Sequence, residues 1–184
     1  MASTNGVRVG LYVLLWLFSV VLLGLCATRL HYTIFLPPFD PLNNGQPFFD
    51  PIVVELAVTS ILALFWSMYT IHIIHRSYDY GRFSSFFFEL LGLFVFFVLF
   101  LVGAAIASTF WGDLFWCHSF WQCRVLTVLV AFAWMCWVLT FFLFFASLAF
   151  AIANSAFFRP FHAQYNPHSS YYAGERKRRW FGGW

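Results

Sequence analysis

The chain has 184 residues, 62% of them hydrophobic, with 27 phenylalanines and only 9% charged side chains. A soluble domain carries about 25% charged residues, so this composition excludes an ordinary water-soluble fold. The formal net charge of +3 comes from 10 Lys and Arg against 7 Asp and Glu. Where those few charges fall therefore matters more than their sum.

Four apolar runs occupy about 9–29, 52–74, 85–109 and 125–153. About 20 apolar residues in a helix cross a bilayer core, and each run meets that length. The third run is the clearest. From Leu90 to Val102 every residue except Gly92 is Leu, Phe or Val. At −0.3 to −0.6 kcal/mol each, those side chains contribute on the order of −5 kcal/mol to insertion, more than Glu89 costs near one end. The expected fold is all-α: an integral membrane four-helix bundle, with 1–8 preceding it and a basic, aromatic tail over 159–184. The first run is read as an uncleaved span, because its apolar core is at the upper limit for a signal peptide.

The links are short enough for the positive-inside rule. With four spans, Arg8, Arg76, Arg82, Arg159, Arg176, Lys177, Arg178 and Arg179 share one side, and Arg29 and Arg124 the other. Eight against two predicts both termini in the cytoplasm. The links around Asp40–Asp50 and Asp113 then face outward.

That orientation bears on the segment WGDLFWCHSFWQCR at 111–124. Cys117 and Cys123 would lie in an oxidising compartment, where disulfides persist. A ring of seven residues gives roughly 2.4 kcal/mol in the chain-entropy model. Six steps along a straight helix would set the Cα atoms about 9 Å apart, too far to bridge, so a disulfide here predicts a tight turn. Free thiols are the alternative. Zinc sites favour shorter Cys spacings, and no CxxC redox pair is present. Cys26 and Cys136 fall inside spans and read as buried, soft apolar residues.

Polar residues within spans are candidates for function. Glu55 and Glu89 each occupy the first turn of a span, where the helix dipole favours a carboxylate. They lie near opposite membrane faces, very roughly 20 Å apart in depth, so they cannot act on one substrate. Structural pairing is expected: Glu55 with Arg29 or His31, and Glu89 with Arg82, His72 or His75. His72 and His75 form HIIH on one helical turn. With Glu89 they make a conceivable metal trio, but hydrogen bonding at the interface is the preferred reading. No HExxH or GxSxG motif occurs, and neither a catalytic residue nor a cofactor is expected.

Small residues four apart, Gly103 with Ala107, Ala104 with Ser108 and Ala149 with Ala153, fit close helix packing within the chain, with self-association as the alternative. In the tail, Arg176, Lys177, Arg178 and Arg179 beside Trp180 could contribute around 4 kcal/mol of attraction to an anionic leaflet. A topogenic charge cluster or an arginine-based retention signal accounts for the same residues.

The segments RVGLYVLLWLFSVVLLGL, PFFDPIVVEL, WSMYTIHIIH, ELLGLFVFFVLFLVGAAIAS, WCHSFWQCRVL and AFAW…AFAIAN together resemble the MARVEL-domain family, in particular its short fungal members, over about 7–158. The resemblance implies an M-shaped four-helix bundle associated with membrane apposition, vesicle trafficking and sterol-rich microdomains, without catalytic residues. The basic tail is outside that pattern.

The expected function is thus non-enzymatic membrane organisation in the plasma membrane or secretory and endosomal vesicles. Lipids are the expected partners, including sterol and anionic lipid, and homo-oligomers are compatible with it. Neither nucleic acid nor a small-molecule substrate is expected. Two other readings stay open: a small transporter, channel or membrane enzyme using Glu55, Glu89 and the His72/His75 pair, and an adhesion module acting through the outer loops.

Overall fold

The computed structural model describes residues 2–36, 46–76, 86–112 and 120–153. Among them are four α-helices and no strand: α1 (Ala2–Ile34), α2 (Pro51–Arg76), α3 (Phe86–Trp111) and α4 (Trp121–Ala153). All four are long and apolar enough to cross a membrane. α1 and α4 run beyond the apolar runs that mark them in the sequence. Polar residues such as Ser3, Thr4 and Asn5 continue α1 without a break, since nothing there stops a helix and hydropathy does not register it.

The helices follow one another around a square: α1 packs on α2 and α4, and α3 on α4 and α2. The starts of α1 and α3 lie at one end of the bundle with the finish of α4, as the contacts of Glu89 with Arg8 and Ser147 show. At the other end Arg29, late in α1, meets Asp50 just before α2. The first is the Glu89 end of the bundle and the second the Arg29 end.

What faces inward is the more polar side of each helix. In α1 the buried positions are Arg8, Tyr12, Leu15, Ser19, Leu22, Cys26, Arg29 and Thr33, spaced alternately four and three apart as one helical stripe requires. α4 repeats the pattern with Leu126, Leu129, Ala133, Cys136, Thr140, Leu143 and Ser147. The outward faces carry Val13, Leu14, Leu17, Leu91, Phe94, Val95, Val98 and Phe142. An apolar exterior around a mixed interior suits a lipid surround, where association depends on packing and hydrogen bonds rather than on expulsion from water.

Several buried hydroxyls are satisfied locally. Ser60 donates to the Leu56 carbonyl, Thr70 to Trp66 and Thr140 to Cys136, each one turn back. Close approach depends on small residues. A Cβ on Gly103 would lie 2.5 Å from both Glu55 Oε2 and Leu56 Cδ2. Gly92 sits beneath the Trp66 ring, which a Cβ would strike. Ala104 and Ala107 are buried nearby, and Ser108 accepts a 2.9 Å bond from Trp134 Nε1 of α4. These small residues of α3 therefore serve contacts within the chain. Ala149 is exposed on the outside of the bundle, and the side chain of Ala153 is outside the described residues.

Candidate functional site

The densest polar cluster is built on Glu89. It lies in the first turn of α3, where unpaired amides favour a carboxylate, and it is fully buried. Arg8 of α1 reaches both carboxylate oxygens through Nη2, at 2.7 and 2.6 Å. Tyr12, one turn further along α1, donates its hydroxyl to Oε1 at 2.7 Å. Ser147 of α4 donates to the same oxygen at 3.1 Å. The Phe150 ring lies 5.7 Å from the Arg8 guanidinium carbon, a cation–π distance. One carboxylate thus ties α1, α3 and α4 together through charge-assisted bonds, the strong kind.

These partners differ from those expected. The side chains of Arg82 and His75 lie outside the described residues. His72 is exposed on α2, lining an outward groove of about 410 Å³ with Val13, Trp16, Met68 and Ile71. Glu89 instead draws on Arg8, which the sequence marks only as a topological charge. Among the described residues no three His, Cys, Asp or Glu side chains gather as a metal site would need.

Glu55 shows a second difference. Arg29 does not reach it, donating instead to Asp50 Oδ2 through Nε and Nη2 at 3.3 and 3.2 Å. Asp50 immediately precedes α2, so the shortest crossing from the end of α1 meets it first. His31 is exposed and packs on Phe35, with ring centroids 5.0 Å apart. Glu55 accepts from Thr59 at 3.0 Å. Its Oε2 is buried against α3 without a hydrogen-bond partner among the described residues. Asp50 and Glu55 line an open cavity of about 500 Å³ between α2 and α3, with Val102, Ile106, Phe110 and Trp111.

Between the two polar ends the interior closes on Leu15, Leu22, Leu93, Phe96, Phe100 and Leu129, none more than 6% exposed. Cys26 and Cys136 are buried free thiols within this packing. The site can therefore hold helices in register. Glu89 is fully buried and offers no accessible lone pair.

Cys117, the partner expected for Cys123, lies outside the described residues, as do Arg176, Lys177, Arg178, Arg179 and Trp180. No family model, curated protein or solved structure matches the chain.

Proposed function

We propose that the chain is a multi-pass membrane protein with both termini cytoplasmic, and that it organises its bilayer rather than catalysing a reaction. One observation carries this reading: Glu89, the most polar point of the interior, is sealed and saturated by three hydrogen-bonding side chains. A transport route or acid–base site needs a group that substrate or water can reach. A latch needs the opposite.

The mechanism is sorting by thickness. The apolar stretches of α2 and α3 cover 24 and 25 residues, and those of α1 and α4 cover 29 and 32. At 1.5 Å per residue they run from about 36 to about 48 Å, all longer than a hydrocarbon core of about 30 Å. Each ångström of mismatch costs a fraction of a kcal/mol, and the sum over clustered copies selects thicker bilayer. The exterior of Phe, Val and Leu gives each copy a continuous lipid-facing surface. The MARVEL-like resemblance agrees in topology and in the kind of role. In the tail, Arg176–Trp180 add attraction to an anionic inner leaflet. The Cys117–Cys123 disulfide belongs to the same reading, supported by the burial of Cys26 and Cys136 as free thiols, which leaves one pair able to close at the outer link.

Reconstitution into vesicles with coexisting thick and thin phases tests the function. Enrichment in the thick phase is expected. An even distribution, or an ion flux abolished by a folded Glu89→Gln variant, contradicts it.

A further inference from the structure

At the Arg29 end, the last turns of α1 and the first turn of α4 line an open cavity of about 310 Å³. We propose that it binds the phosphocholine headgroup of a membrane lipid. The inference rests on the membrane-spanning part of the reading above and not on the organising role.

Three features of the lining meet there. The first is one guanidinium flanked by side chains that can hydrogen-bond. Arg29 is only 7% exposed and gives Nε and Nη2 to Asp50, so Nη1 is the remaining edge of its guanidinium. His31 and Gln122 also line the cavity. Gln122 belongs to the first turn of α4, whose amides have no intrahelical acceptor and attract anions. Among the described residues no carboxylate lines this cavity, although Asp50 pairs with Arg29, whereas Asp50 and Glu55 both line the cavity between α2 and α3. Phosphate is therefore favoured on the α1–α4 side over the other.

The second feature is aromatic. Tyr32, Phe35 and Trp121 line the same cavity, and a quaternary ammonium is a cation that aromatic side chains recognise. The Arg124 guanidinium carbon lies 5.8 Å from the Trp121 ring centroid, a cation–π distance. The end of α1 adds the negative pole of its helix dipole beside the cavity, where a positive group is favoured. The donor set and the aromatic set thus match the two charges of a zwitterion.

The third feature is size and place. Small-molecule sites begin at about 300 Å³, so this cavity holds a headgroup and leaves the acyl chains outside, along the apolar faces of α1 and α4. Trp121 and Tyr32 are residue types that sit at headgroup level.

Native mass spectrometry of the delipidated full chain in micelles, offered equal phosphatidylcholine, phosphatidylethanolamine and phosphatidylglycerol, tests the proposal. Phosphatidylcholine should be retained preferentially. Trp121→Ala should reduce that preference roughly two- to thirty-fold, the range of a cation–π contact. Phe35→Leu, at a position 70% exposed and so harmless to folding, should reduce it in the same direction. Equal retention of the three lipids overturns the proposal, as does a preference that both variants leave intact. Soluble phosphocholine binding as tightly as the lipid would make the occupant a soluble ester and end the lipid assignment. Recovery of the chain without detergent would instead defeat the membrane reading itself.

Discussion

Replacing Glu89 with leucine removes the acceptor that three side chains share and leaves the Arg8 guanidinium buried at 1% exposure without its counter-charge. In a soluble interior, removing one partner of a buried pair costs about 3–5 kcal/mol. Hydrogen bonds between membrane helices average only about 0.6 kcal/mol, so four of them give about 2.4. Arg8 lies near the start of α1, and its long side chain can relieve part of the charge by extending toward the interface. The expected loss for Glu89→Leu is therefore about 2–4 kcal/mol. Arg8→Met strands the carboxylate instead and should cost a similar amount. The double variant has no stranded charge, and apolar replacement of a whole buried pair is often close to neutral. It should fall at least about 2 kcal/mol short of the sum of the single losses. Reversible unfolding by detergent titration, followed by helical circular dichroism, gives all four corners of the cycle. Additive single losses, or a Glu89→Leu loss below about 0.5 kcal/mol, would refute the latch.

Two glycines offer a paired comparison. Gly92→Ala drives a methyl into the Trp66 ring and should cost about 1–3 kcal/mol as overpacking. Gly24→Ala meets nothing within 4 Å, so the same titration should find it neutral or up to about 1 kcal/mol more stable, from helix propensity. For the outer link, non-reducing peptide mapping should recover Cys117 joined to Cys123, while Cys26 and Cys136 stay alkylatable once the bundle is unfolded. Recovery of Cys117 and Cys123 as free thiols would contradict the staple.

The four helices were legible because hydropathy over some 20 residues is a strong, local signal. Their facing was harder to read, since apart from Glu89 near its start α3 is apolar almost all round and a period of 3.6 has little contrast to show. In α1 the contrast runs the other way. Arg8, Tyr12, Ser19, Cys26, Arg29 and Thr33 form a polar stripe at helical spacing, and that stripe, read as the inward face, could have pointed to Arg8 as an interior charge. Glu89 was identifiable as an intramembrane carboxylate, but its partner lies 81 residues away. Nothing in the local sequence links the two, and the nearer cations at the neck of α2 drew the pairing instead. Arg29 was displaced in the same way, because Asp50 meets it before Glu55 can. The α1–α4 cavity draws on residues from two distant segments and has no motif of its own.

The proposed role requires a four-span chain with both ends on the cytoplasmic face. Small epitope tags placed before Met1 and after Trp184, with a third inserted between Asn43 and Asn44, can be probed with an impermeant antibody on intact and permeabilised cells. Only the internal tag should be stained on intact cells, and all three after permeabilisation. Staining of either terminal tag on intact cells would contradict it.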